Sequence, residues 1–336
     1  MASNEQLVKS LALPEDTLTL LRTAQGEEFQ VVKNKFLTAL FNKISQVYVD
    51  MLDAENPFAR FYGRPIKYGD TIENIFVETP EGYDFNNNPN KVENGGSPFK
   101  KALPSVKTLY ATLNFQQQYK TTISDVEIRR AAYNPEGFSD LISRIIGSLP
   151  VSATLDRYFA VIAMLGNENI YADGIEQVEV TAQTRASIAT KKLVSAYTNM
   201  KFPNTKNNKM GVLNRTPLDR LLLVIKQDVL NDINLDYLAG VYNLDKVDLI
   251  KKIIPIESFA VTYRNTEGEL VTTEDNIDFV MLDTKGLDLH NALEDSGLLY
   301  NPEELYTNHF YNVWDIISYK YFYNARAYKL VTEVEA

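Results

Sequence analysis

The sequence predicts an α+β chain whose elements reach outward from a small buried unit. Three observations carry this. Leu221 to Ile225 is a short, wholly apolar run, too short for a helix and suited to a buried strand, and helical spacing follows it at Val229, Leu230 and Ile233. Leu109, Ala111, Leu113 and Phe115 alternate with Tyr110, Thr112, Asn114 and Gln116, the period of an extended strand. Phe138, Leu141, Ile142, Ile145, Ile146 and Leu149 form one stripe at helical spacing.

The totals narrow the function classes. The chain has 336 residues, room for about two domains. Its net charge of -10 argues against a dedicated nucleic-acid binder, because phosphate binding needs a positive face. It is compatible with a protein that lies near nucleic acid without adhering. The absence of cysteine removes disulfides, thiolate nucleophiles and thiolate metal sites together. Met1 to Glu5 lacks the basic start and apolar core of a signal peptide, and the run Tyr158 to Leu165 is far short of the ~20 residues of a membrane span. A soluble, intracellular protein with no membrane partner is expected.

Taken in order, residues 4–13 form a weak amphipathic helix ended by Pro14. Phe29, Val32, Phe36, Leu40, Ile44, Val47 and Met51 then fall at three- and four-residue steps, predicting a long helix up to Asn56 and Pro57. Its apolar face needs a partner, either the later core or another subunit. Asp70 to Thr79 reads as a strand, and Pro80 to Pro104 is dense in Asn, Gly and Pro. Val106 to Ile123 reads as one long second strand. A two-stranded arm of this kind is marginal alone in water, so a neighbouring subunit is the economical cover.

Asn134, Pro135 and Glu136 make a helix start: N-cap, first-turn proline, first-turn acid. The stripe continues through Leu155, Tyr158, Phe159, Ile162 and Leu165, giving a long helix kinked or broken near Pro150 and ended by Gly166. Glu176 to Val180 is a strand, and Thr184 to Met200 a helix facing inward through Ala186, Ala189, Leu193, Ala196, Tyr197 and Met200. Phe202 to Thr216 is a polar loop. A short helix is expected at Leu235 to Tyr242 and a small turn at Asn243 to Leu249. Ile253, Ile254 and Ile256 return as a strand that Pro255 places at an edge or bulge. A hairpin at 259–273, a strand from Phe279 to Leu282 and aromatic-rich strands over Glu303 to Val331 close the chain.

Chemical motifs are sparse. Gly95 and Gly96 lack the following Lys-Ser/Thr helix of a phosphate loop. His290 and His309 carry no metal-ligand spacing and read as loop or packing residues. Glu274, Asp275, Asp278 and Asp283, with Glu303, Glu304 and Trp314, are the best enzyme case, since two acids across an aromatic cleft can hydrolyse a glycoside. Acids on the loops of an acidic protein are the plainer reading. Lys201, Lys206, Lys209 and Arg215 could hold phosphate but read better as a solvated loop. No catalytic, cofactor-binding or metal-binding residue is assigned.

The order of parts resembles the major capsid proteins of tailed bacteriophages, the Hong Kong 97-type coat fold. Three stretches carry the resemblance: Leu221 to Ile233 with Leu235 to Leu244, similar to the axial-domain region of small podovirus-like phage coats; Ile256 to Phe259; and His309 to Asp315, similar to the closing segment. The resemblance implies an N-terminal helical arm (1–60), an extended β-loop (61–123) lying across the next subunit, a peripheral domain with a long spine helix (124–183 and 303–336) and an α/β axial domain (184–302). It implies a non-enzymatic homo-oligomer of pentamers and hexamers, closing as an icosahedral shell around packaged double-stranded DNA. Portal and scaffolding proteins are the expected partners, the virion the expected location and the host cytoplasm the site of assembly. Some relatives crosslink a loop lysine to a neighbour's asparagine; Lys100 and Lys101 lie near the loop tip, but no partner is matched and the chemistry is not carried over. The alternatives are a carbohydrate-active enzyme or sugar-binding module, and a cellular cargo-enclosing shell of the same fold.

Overall fold

The computed structural model describes residues 28–36, 56–67, 69–80, 101, 103–125, 135–181, 183–233, 238, 240, 246–264 and 269–332, with Thr17, Leu20 and Thr23; side chains of 135–144, 246–247 and 264 are excepted. In chain order the helix α1 (28–36) precedes strands β1 (Thr71–Val77), β2 (Val106–Thr112) and β3 (Phe115–Ser124). The long helix α2 (Pro135–Gly166), β4 (Ile175–Val180) and α3 (Arg185–Lys201) follow. Then come β5 (Leu221–Lys226), α4 (Gln227–Asp232), α5 (Lys246–Ile250), β6 (Ile253–Ile256), β7 (Thr262–Arg264), β8 (Leu270–Thr272) and β9 (Phe279–Asp283). Three long strands end the chain: β10 (Leu287–Asn301), β11 (Tyr306–Tyr319) and β12 (Ala325–Thr332).

β5 is buried at every residue, as its sequence predicts. It lies inside a five-stranded sheet of order β4-β12-β9-β5-β6, antiparallel to β9 and parallel to β6. Successive side chains point to opposite faces, so one strand feeds two cores. Leu221, Leu223 and Ile225 pack with Leu193, Ala196 and Met200 of α3. Leu222 and Val224 pack in the other core, which holds Ile162 and Leu165 of α2 and Val313 and Ile317 of β11. β6 is the outermost strand, so Pro255 removes no ladder hydrogen bond that a further strand would need.

A three-stranded sheet of order β10-β11-β3 packs on α2. The helix is continuous through Pro150, not broken there. Next to the proline, Ser148 Oγ donates to the Ile145 carbonyl at 2.7 Å and Thr154 Oγ1 to the Pro150 carbonyl at 3.0 Å. Ala153, Val161 and Ile162 are buried, whereas Leu155, expected inside, is exposed.

Several sequence expectations need correction. Val106 to Ile123 is two strands in two sheets: β2 pairs with β1, and β3 pairs with β11. The switch occurs at Asn114, whose side chain donates to the Ile317 carbonyl at 2.8 Å and accepts from the Ile317 amide at 2.9 Å. The unbroken alternation of side chains hid it. β10, a fifteen-residue strand, is absent from the sequence reading because its middle is polar and its register shifts between Asn291 and Leu293. The expected boundaries at 183/184 and 302/303 also cut across the sheets. β4 shares a sheet with β5 and β9, β12 lies in that same sheet rather than with β11, and β10 pairs with β11. The expected helices at 4–13 and 235–242, most of the predicted 27–52 helix, the tip residues 81–100 and Lys100 lie outside the described residues; Lys101 is exposed.

Candidate assembly surface

The β1–β2 arm has one seated face and one open face. Its register pairs Ile72 with Ala111, Asn74 with Leu109 and Phe76 with Lys107 on one side. Those side chains are wholly or partly buried against the same chain. The Phe76 ring stacks on Phe322 with centroids 5.4 Å apart, Asn74 Nδ2 donates to Asp288 Oδ2 at 2.6 Å, and Lys107 Nζ donates to the Met210 carbonyl at 2.8 Å. The other side carries Glu73 opposite Tyr110, Ile75 opposite Thr108 and Val77 opposite Val106. Here Ile75 is 59% exposed, Val77 61% and Tyr110 60%, and Leu103, just before β2, is 85% exposed. Contiguous apolar exposure of this kind marks an interaction surface. Tyr110 donates to Glu73 at 3.0 Å, a bond that, with the carboxylate's charge, raises the phenol's pKa and pins the ring across the strand pair.

The arm root is held rigidly. Residues 62–66 run beside β10, with the Gly63 amide donating to the Leu289 carbonyl and the Ile66 amide to that of Asn291, both at 2.8 Å. A Cβ on Gly63 would collide with the His290 ring. Beneath, Arg157 of α2 clamps the buried Asp315 of β11 through Nε at 2.5 Å and Nη2 at 3.2 Å. Asp315 also accepts from Asn291 at 3.0 Å and from the Tyr62 hydroxyl at 3.3 Å. Burial raises the Asp315 pKa, and Arg157 offsets only part of that. Burial works against the Arg157 charge, yet Asp315 leaves its pKa raised.

The residues weighed for chemistry are not gathered together. Asp275 and Asp278 both pair with Lys226, at 2.8 and 2.9 Å. Asp283 is fully buried and accepts from Arg220 at 2.8 Å and Thr216 at 3.1 Å; burial holds its pKa above the usual carboxylate range. Glu303 and Glu304 are exposed in the β10–β11 turn, and Trp314 is 41% exposed on β11. A cavity of about 280 Å³ beside Tyr263 and Tyr319 contains none of these acids or Trp314, nor does an open groove of about 640 Å³ beside Arg60 and Leu222. Among the described residues no His, Cys, Asp and Glu cluster could hold a metal ion. His290 bridges the Arg64 carbonyl (2.9 Å) and Asp288 (3.1 Å), and His309 is buried in packing. Ile145–Gly166, longer than the Tyr158 to Leu165 run, is long and apolar enough to cross a membrane by length and composition; half of its apolar window is buried inside the protein, as in a core helix.

Lys201, Lys206, Lys209 and Arg215 are exposed, as the solvated-loop reading expects, but the 202–216 loop is shaped by its asparagines. Asn208 donates to the Val212 carbonyl at 2.7 Å and accepts from the Val212 amide at 2.9 Å. Asn214 donates to the Phe322 carbonyl at 2.9 Å, and Asn207 accepts from Arg326 at 2.6 Å. Asparagine, not lysine, sets its shape. The polar ladder seats the Met210 carbonyl where Lys107 of the arm reaches it.

The comparisons with known proteins agree with this geometry. The family model for Phi29-like phage major capsid protein matches residues 9–329. The major capsid protein of Bacillus phage B103 is 28% identical over 316 residues, covering 91% of this chain and 66% of the relative. That of Bacillus phage GA-1 is 29% identical over 89% of this chain and 61% of the relative, so the chain spans somewhat less than two thirds of either protein. That of Streptococcus phage Cp-1 is 26% identical over 86% and 81%. The capsid structure of Staphylococcus phage Andhra superposes with a TM-score of 0.59 at 13% identity, covering 82% of this chain and 84% of that one. A virus-like particle from Pyrococcus furiosus superposes at 0.51 with 11% identity, covering 86% and 99%. The fold is thus the Hong Kong 97-type capsid fold, and the chain belongs to the Phi29-like phage major capsid protein family.

Proposed function

We propose that this chain is the structural subunit of an icosahedral phage shell that encloses double-stranded DNA and performs no catalysis. The observation that carries the reading is the arm: one face fastened to its own subunit, the other apolar and open. A second copy of the chain is the partner that covers it, within pentamers and hexamers. The three-stranded sheet with α2 would form the peripheral domain, and the five-stranded sheet with α3 the axial domain. The net charge of -10 lets packaged DNA lie against the shell without adhering. Portal and scaffolding proteins would set where and how the shell closes in the host cytoplasm. A cellular cargo shell shares the fold, but the sequence relatives at 26–29% identity are phage proteins.

The test is electron microscopy of the expressed chain, alone and with scaffolding and portal proteins. Shells or capsomers are expected from the parent. Ile75→Asp with Val77→Asp should leave the subunit folded and abolish shells, because both side chains are already solvent-exposed in the subunit. Shells from that double variant would refute the arm's role. A stable monomer from the parent under every condition, or cleavage of a glycan panel, would refute the shell reading itself.

A further inference from the structure

α1 places a lysine where its spacing calls for an apolar residue. Phe29 and Phe36 are buried with Ile123 and Ile146. Lys33 lies on the same helix face and is fully buried. Its Nζ is 2.7 Å from Asp125 Oδ1, just past the end of β3, and 4.2 Å from the centroid of the Tyr300 ring of β10. The other carboxylate oxygen accepts from Gln30 Nε2 at 2.9 Å and from the Tyr300 hydroxyl at 3.3 Å. The Asp125 amide donates to the Leu305 carbonyl at 2.9 Å, so the acid is fixed to the β10–β11 turn. Burial, reinforced by the Lys33 charge, lowers the pKa of His309 on β11 to about 4, so its imidazole is neutral near pH 7. One buried charge pair therefore joins α1 to the end of β3, to β10 and to the β10–β11 turn at the distal end of the sheet.

A buried ion pair gains little over a well-packed apolar pair, because desolvation offsets most of the attraction, yet losing one partner is costly. Such a contact is selective in register and sensitive to any competitor for either charge. We infer that Lys33 and Asp125 form a reversible latch: closed, it holds α1 on the distal end of the three-stranded sheet of its own subunit; open, it frees that helix to contact a second copy of the chain. The second half rests on the shell reading above; the first does not.

Hydrogen exchange on the full, unassembled chain tests the first half. Asp125→Asn and Lys33→Met should each speed exchange of 28–36 by about tenfold or more, with core strands such as Leu221–Lys226 unchanged. Tyr300→Phe keeps the ring and removes one bond to Asp125, so it should fold regardless and give a smaller, local increase. The apolar pair Lys33→Met with Asp125→Leu should restore protection. Unchanged exchange of 28–36 in all the single variants, Tyr300→Phe included, overturns the latch. Electron microscopy tests the second half: the apolar pair should assemble poorly, and assembly equal to the parent overturns the need for opening. If the parent forms no shells, the shell reading and this second half fail together, while the exchange result still decides the latch.

Discussion

Replacing Arg157 with leucine isolates the clamp between α2 and β11. Asp315 has no solvent exposure, and its two oxygens take the guanidinium at 2.5 and 3.2 Å. Unit charges about 4 Å apart at an effective dielectric near 20 attract by roughly 4 kcal/mol. Breaking a buried pair by removing one partner costs about 3–5 kcal/mol. Asn291 and Tyr62 still donate to Asp315 in the variant, which favours the lower end, about 3 kcal/mol. Arg185 provides the internal control: its partners Asp228 and Asp232 are 59% and 41% exposed, so Arg185→Leu should cost less than about 1 kcal/mol. Urea unfolding of the unassembled subunit measures both. The pH dependence follows from sign. The folded Asp315 pKa already lies above its usual value, so its contribution is most favourable below that value and is lost as pH rises through the folded pKa. Without Arg157 the raise grows, and the penalty should be largest at neutral pH and shrink as acid protonates Asp315. Arg157→Leu with Asp315→Leu should recover most of the loss. A penalty no larger than that of Arg185→Leu, or one independent of pH, refutes the reasoning.

Asn208→Ala removes bonds from a buried side chain to both backbone groups of the buried Val212 and should cost about 2–3 kcal/mol in the same assay. It should also weaken shell assembly by displacing the Met210 carbonyl that seats Lys107. Burial and the Lys33 charge lower the His309 pKa from 6.5 to about 4, so stability falls as pH drops below 6.5 and levels off near 4. His309→Leu should flatten that window in a pH series of urea midpoints; an unchanged slope would count against His309 as its source. Ile75→Asp should shift subunit stability by no more than about 0.5 kcal/mol while blocking assembly.

Legibility followed side-chain chemistry. β5 was readable because a five-residue apolar run admits one fate, burial on both faces, and the structure divides it between two cores. Pro255 named its own strand an edge. The β7–β8 hairpin and the start of α2 at Pro135 were readable from turn and first-turn residues. β3 and β10 were not. At Asn114 a polar residue continues a perfect alternation while its amide copies a strand's hydrogen bonds to Ile317, so the change of sheet leaves no trace in period. β10 runs through Asp288, His290, Asn291, Glu294 and Asp295, residues that belong to loops by propensity and become a strand because β11 pairs with them. The two-strandedness of the arm called for a neighbouring subunit as its cover, yet one face is seated on its own chain through Phe76, Asn74 and Lys107, and which face stays open needed the register.

The residues hardest to read share one kind of place, the junction between elements. Among the described residues five aspartates are buried: Asp125, Asp278, Asp283, Asp288 and Asp315. Each sits where separate elements meet. Asp125 joins α1 to β10, and Asp278 ties Lys226 of β5 to the Leu330 amide of β12. Asp283 ties Arg220 and Thr216 to β9, Asp288 ties Asn74 of the arm and Lys320 to β10, and Asp315 ties α2 to β11. Apolar contacts would join these elements about as strongly, since burying a charge pair returns little net energy. They would not fix an angle, because hydrophobic attraction has no direction. On the shell role proposed above, a subunit that repeats the same contacts in every copy would need its arm, helix and sheets held at set angles. Buried carboxylates with two or more directional partners provide that. A charged residue in sequence reads as surface, so the features that orient this subunit are the ones composition and periodicity conceal.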